Sequence, residues 1–417
     1  MNFAQKIEKE FNLIIGSSGD PEARSVAMSI FKKIGLPGKK IEEWKYTNIN
    51  FLNDFEFDDN EKINKVLFSE IEHLIISKDF YRMVFVNGQF DKSLSFLDNM
   101  DEHIKLYQAS QRTFHNYNHY PNGFIALNES LFSEGSFIDI PDNTILDKPL
   151  QILYIIKNSE NSVFTNYKNQ VSIGKHSKID VIETVRTIGN GSTFTTIASN
   201  FKLGESSTLN YYNFQSDSSK ANYYGYRSID QSAKSNFNDF TISIASNFIR
   251  NDVFVNLLGE HCETSLSGFY YTLNDEFFDN HSLIKHAKPI CTSNETYHGI
   301  LDGASTAVFN GKIIVEPDAQ KTQAYQSNRN ILLSDTANIF TKPQLEIYAD
   351  DVKCSHGATM GSLEKEHLFY LCSRGITEKM AKSMLLMAFA NRITDKINIE
   401  PLRSNIEKWL SEKLEIE

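Results

Sequence analysis

The sequence predicts a mainly β fold, a core of stacked coils with helical regions at both ends, and three observations carry that prediction. From about Phe137 to Tyr348 helical periodicity is absent, Val, Ile, Thr, Tyr and Phe dominate, and Gly, Asn, Asp and Ser mark the turns. A loose repeat recurs inside this span: VSIGKHSKIDVIE from Val171, FKLGESSTLNYYN from Phe201, RSIDQSAKSNFND from Arg227 and VNLLGEHCETSLSGF from Val255. Each copy has two strand-like halves around a turn, and the copies are offset by roughly 26 to 30 residues. The turns hold small residues that suit tight corners. After Leu283 the segments shorten to ILDGASTAVF, IIVEPDAQKTQAY, ILLSDTANIF and LEIYADDVKC. One coil cannot bury its own apolar face, so stacking supplies the core and a β-helix or solenoid follows. A large β-sandwich is the rival.

The elements before the core read as mostly helical. Gly19-Asp20-Pro21 opens a helix on which Val26, Ile30, Phe31 and Ile34 recur at helical spacing, and Gly35 with Leu36-Pro37-Gly38 stops it. KKIEEWKYTNI, residues 39–49, reads as a short helix anchored in the core by Ile41 and Trp44; a docking surface formed by Trp44 and Tyr46 is the alternative. Residues 51–80 are acidic and weakly patterned, a connector with one more helix. YRMVFVNGQF, residues 81–90, turns at Asn87-Gly88 as a hairpin. Mixed helix and loop follow over 101–135. The regions are therefore 1–135, 136–360 for the coils and 361–417 for a helical end.

In that end Thr377 caps a helix with Glu378 in its first turn. Met380, Met384, Leu385, Ala388 and Phe389 form a broad apolar stripe that Ile393 and Ile397 extend. A second helix carries Leu402, Ile406, Trp409, Leu410 and Leu414. Such helices pack on their own domain, and a Met-rich stripe equally suits an adaptable partner surface.

Composition narrows the functional classes. The chain has 417 residues, is 41% hydrophobic and 23% charged, and carries a net charge of −11. That balance disfavours a generic nucleic-acid surface or an anionic membrane surface. No signal peptide or membrane-length apolar run is read, and four widely spaced cysteines suit reduced thiols in a cytoplasm. There is no CxxC pair, P-loop, GxSxG or HExxH, and no facing acidic cluster of the kind glycoside hydrolysis needs.

Chemically active side chains concentrate in TKPQLEIYADDVKCSHGATMGSLEKEHLFYLCSRGI, Thr341 to Ile376. On an extended segment Cys354 and His356 share a face, because the strand period is two. Thiolate and imidazole suit iron, zinc or copper, yet two ligands are not a site, and Asp350 and Asp351 fit a turn cap better than support ligands. Cys372, within LFYLC, reads as a buried inert thiol.

The run YHGILDGASTAVFNGKIIVEPDAQKTQAYQSNRNILLS, followed by Thr341 to Ile376, resembles the SufB/SufD family of iron–sulfur cluster assembly proteins. PGKKIEEWKYT and GFIALNESLF resemble the family's N-terminal patterns, so the likeness covers most of the chain. ADDVKCSHGAT at Ala349–Thr359 is similar to the SufD branch, and the cysteine-bearing, EHEA-type ending of SufB-like chains is missing, so this chain is not expected to be the primary sulfur acceptor. The resemblance implies a right-handed parallel β-helix core flanked by N- and C-terminal α-helical domains. It also implies pairing with a SufB-like subunit and a SufC-like ATPase docked on the C-terminal helices, at Met380, Met384, Leu385, Ala388 and Phe389. It implies a non-catalytic subunit with no tightly bound cofactor. Iron or a nascent cluster would pass transiently at Cys354 and His356, and no residues for a flavin stand out. A platform that stabilises SufB and recruits SufC without touching iron is the alternative. An isolated chain is expected to pair with itself through the same open edge.

Overall fold

The computed structural model describes residues 3–15, 20–53, 55–57, 65–107 and 121–414. Parts of the acidic connector and of the 101–135 stretch lie outside them. The core is a parallel β-solenoid of two ten-stranded sheets, with successive strands alternating between them. The first sheet runs through Tyr81–Val86, Leu150–Lys157, Lys178–Ile188, Thr208–Ser216, Asn236–Ile244, Glu263–Thr272, Thr292–Leu301, Gln323–Leu332 and Lys353–Gly361. The second runs from Phe137–Ile140 to Thr306–Val315 and ends on Asn338–Thr341 and Gln344–Ile347. Antiparallel pairs occur only at the start among the described residues, at Gln89–Phe90, at Lys105–Tyr107 and at the Arg82–Phe96 bridge. Parallel pairing throughout the coils decides against an antiparallel sandwich.

A coil takes between 26 residues, from Asn222 to its neighbour Phe248, and 33, from Phe137 to Gln170. The expected shortening after Leu283 does not occur. Val308 faces Phe340 and Gln326 faces His356, steps of 32 and 30 residues. ILDGASTAVF and its successors are single corners with half a strand on each side, because one turn of the solenoid has more than one corner.

One corner shows how the sequence builds the coil. His176, Ser206, Lys234, His261, Ile290 and Lys321 all sit at φ between 56° and 61°. Each is followed by a small side chain with a hydroxyl or thiol. Ser207, Ser235, Cys262 and Thr322 donate to the carbonyls of Gly204, Ser232, Gly259 and Ala319 at 2.8, 2.6, 3.2 and 2.8 Å. The left-handed residue turns the chain and the donor satisfies a carbonyl the turn would orphan. Cys262 and Cys291 are therefore corner residues, both buried.

The lumen is not purely apolar. Ile, Val, Leu and Phe layers fill much of it. Between them Arg227 pairs with Asp239 at 3.1 Å, and Tyr223 donates to the Glu183 carboxylate at 3.2 Å.

Helices clothe the outside. α1 (Phe3–Ile14) and α2 (Pro21–Ile34) pack with α4 (Gly123–Leu131), and every residue of α4 is buried. α3 is a short turn, Phe68–Ile71. Asp20 caps α2, but the buried face is Ala23, Arg24, Ala27, Met28 and Phe31; Val26 and Ile34 are exposed. The shift follows from Arg24, whose guanidinium donates to the Ser130 and Phe132 carbonyls at the end of α4 at 3.0 and 2.7 Å. Ile41 is likewise exposed, whereas Trp44 is a core residue stacked on Phe124, with ring centroids 5.4 Å apart. Trp44 is thus no docking surface. The segment Asn87-Gly88 turns as read, with φ of 45° and 85°. Its first strand, Tyr81–Val86, also pairs with Leu150–Ile155, so the long sheet starts there.

At the other end α5 (Lys365–Ser373), α6 (Glu378–Thr394) and α7 (Glu400–Lys413) follow the last strand. Leu386, Ala390, Ile393, Ile397, Leu402, Ile406 and Leu410 pack on the outer face of the first sheet, against Tyr212, Phe240 and Phe269. No residue of α5 is buried, and Cys372 is half-exposed, against expectation. Phe369 and Tyr370 of LFYLC are exposed, and Leu368 and Leu371 are half-buried.

Candidate functional site: the last coil

Lys353–Gly361 ends the first sheet and pairs on one side only, with Gln323–Leu332. Ala324 faces Cys354 and Gln326 faces His356. Ala324 and Gln326 are buried. Cβ atoms alternate along a strand, so Cys354 and His356 both issue from the inner face. The spacing argument for one shared face therefore holds. Cys354 is half-buried against the core, and burial pushes its thiol up; His356 is exposed. Asp350 and Asp351 lie in the corner before the strand, where the Asp351 amide donates to Gln320 Oε1 at 2.9 Å and its carbonyl accepts from the Lys321 amide at 2.6 Å. They build the turn. Among the described residues no group of three or more His, Cys, Asp and Glu side chains stands together as a metal site.

Behind this strand lies a polar step that sequence reading missed. Glu295 is buried, and burial pushes its carboxyl up to about 7. Ser282 and Gln326 donate to it. Nothing in the sequence sets these residues apart from other strand positions; only the register brings them together.

The same end exposes large apolar side chains. Phe369 is 75% exposed, Tyr348 61%, Met360 59% and Tyr370 57%. Scattered exposure of large apolar residues is ordinary, but this cluster at one uncapped end is not. A groove of about 480 Å³ runs between the last strands and α6, lined by Arg329, Met360, Leu363, Leu385, Ala388 and Phe389 among others. The apolar stripe of α6 divides there. Met384 and Ala388 are exposed, Met380 and Leu385 half-buried, and Phe389 leans on His298. The inward face of α6 is instead Ala381, Leu386, Ala390 and Ile393.

A second cavity of about 470 Å³ lies between residues 42–47 and the end of the second sheet. His281 at its edge pairs with Asp279 at 2.9 Å, and Asp279 is held by Arg250 and Thr47.

Two family models match the chain: the SUF system FeS cluster assembly SufBD core domain over residues 154–389, and the SufBD protein N-terminal region over 17–152. The chain belongs to the SufBD family. A SufBD family protein of Synechocystis is 27% identical over 406 residues, covering 93% of this chain and 90% of the relative. The iron–sulfur cluster assembly protein SufD of Escherichia coli is 26% identical, covering 96% and 94%. SufD of Bacillus subtilis is 22% identical, covering 91% of each. Membership supports a role for this SufBD chain in iron–sulfur cluster assembly by the SUF system. No described helix is long and apolar enough to cross a membrane.

Proposed function

We propose that this SufBD chain is the SufD-like, non-catalytic subunit of a cytoplasmic assembly scaffold. It pairs with a SufB-like subunit through its last coil and docks a SufC-like ATPase on α6. The observation that carries the reading is the one-sided strand Lys353–Gly361, exposed along its length apart from half-buried Cys354. An open sheet edge flanked by exposed aromatic residues offers both backbone hydrogen bonds and apolar area to a partner strand. Iron is cargo here. His356 would hold it through an imidazole nitrogen, with the remaining ligands on the partner.

The test is reconstitution with SufB and SufC homologues, comparing wild type with His356→Ala. Iron and sulfide recovered with the complex should fall in the variant. Equal recovery would end the ligand role. Burial of the Cys354 thiol in its protonated form favours a second reading, in which the chain is a platform that never ligates iron. A Cys354→Ala/His356→Ala double variant that assembles and supports cluster formation normally would establish it.

A further inference from the structure

Glu295, Gln326 and His356 stand in register on three successive strands of the first sheet. Ser282 Oγ–H donates to Glu295 Oε1, and Gln326 Nε2–H donates to Oε2 at 3.0 Å. The second bond orients the Gln326 amide, with Nε2 towards Glu295 and Oε1 turned away. That oxygen is buried and has no hydrogen-bond partner. Gly311 makes the room: a Cβ there would lie 2.7 Å from Glu295 Oε2 and 3.0 Å from Gln326 Nε2. An unpaired buried acceptor costs about 1–3 kcal/mol, so an arrangement built to aim one calls for a donor. The next residue in the column, one strand spacing of about 4.8 Å away, is His356, whose ring issues from the same face.

We propose that Gln326, held by Glu295, is the positioning residue for His356. No hydrogen bond joins the two side chains in this structure; a turn of the exposed His356 ring brings one N–H to Oε1, which fixes the tautomer and leaves the other nitrogen free to face outward. A ligating imidazole needs this kind of support on its second nitrogen. The consequence for metal rests on the reading of His356 as a ligand, whereas the contact itself does not.

The contact is tested on the full-length chain with ¹⁵N-labelled histidine, free of metal, near pH 7.5, with His356 assigned by its loss in His356→Ala. The wild-type ring should show one tautomer. Gln326→Leu should return it to the mixed tautomers of a free imidazole, and Gln326→Glu, which keeps an acceptor oxygen, should hold the single form. Mixed tautomers in the wild type, or identical ring signals in wild type and Gln326→Leu, would overturn the proposal; the first requires no variant to fold. Co(II) titration of the chain paired with a SufB homologue, which supplies the remaining ligands, then reads the consequence. Gln326→Leu should bind about 10- to 100-fold more weakly, the usual cost of removing a ligand's supporting partner. If His356→Ala binds Co(II) as tightly as wild type, the ligand reading fails while the tautomer result still decides the contact.

Discussion

The imidazole of His298 lies on the ring of Phe389, with centroids 4.6 Å apart and planes inclined by 17°, and its Nδ1–H donates to the Phe389 carbonyl at 3.2 Å. This contact joins α6 to strand Thr292–Leu301, two strands from the one that carries Cys354 and His356. A load on α6 therefore reaches the last coil through few intermediates.

Burial keeps this ring neutral, although the bond to the Phe389 carbonyl by itself favours the protonated form. Burial pushes the His298 pKa down from 6.5 to about 4, and Arg329, Arg392 and Lys396 add to the effect. Between these two values the unfolded chain binds the proton and the folded chain does not. Stability therefore rises with pH across that window and is lost as pH falls through it, by up to about 3 kcal/mol. His286 behaves the same way within the core, so the difference between chains isolates His298. Protection factors of α6 amides, exchange rates corrected for the intrinsic pH dependence, should fall from pH 6.5 to 4.5 in wild type and less so in His298→Gln. Parallel profiles would remove His298 as the cause.

Trp44 locks the N-terminal segment to the coils. The guanidinium of Arg250 lies 3.7 Å from its ring centroid, and pairs with Asp252 at 2.9 Å and with Asp279. All four side chains are buried. Arg250→Ala removes the guanidinium shared by two buried carboxylates and should cost about 3–5 kcal/mol, as should Trp44→Ala through lost packing. Exposed Tyr46, stacked on Phe340 at 4.2 Å, should cost no more than about 1 kcal/mol as Tyr46→Ala. Urea unfolding of the three variants checks the ranking.

The coils were legible because each must repeat an apolar, turn, apolar pattern to stack, and that pattern survives in the sequence from Val171 on. The shared face of Cys354 and His356 was legible because strand parity is local. What escaped reading depends on register or on distant partners. Arg24 decides which face of α2 is buried, from contacts more than a hundred residues away. Arg250 meets Thr47 across 203 residues. Glu295, Ser282 and Gln326 look like any polar strand positions until the coils are stacked. On α6 the apolar residues run nearly all round, so periodicity could not say whether Leu385 or Leu386 faces the sheet.

The exposed end makes a direct prediction for pairing. Met360→Glu and Phe369→Glu place charge on residues that touch little of this chain, so each should shift stability by no more than about 0.5 kcal/mol. Both should weaken association with a SufB homologue by at least tenfold, measured by calorimetric titration. Undiminished binding in both would move the partner surface away from the last coil. If the isolated wild type runs as a dimer and the variants run as monomers in size exclusion, the same edge also serves self-association.

The two sides of α6 separate docking from folding. Leu386 is buried and Leu386→Ala should cost about 2–5 kcal/mol. Met384 and Ala388 face out, and Met384→Glu or Ala388→Arg should leave the unfolding midpoint close to wild type. If the outward stripe receives a SufC homologue, these two changes abolish its binding in a pull-down at equal protein stability. Leu386→Ala should lower binding only in proportion to the folded fraction, and warming or cooling should move the two together. Loss of docking in Leu386→Ala well below its unfolding midpoint, with full docking in Met384→Glu and Ala388→Arg, would place the ATPase elsewhere on the chain.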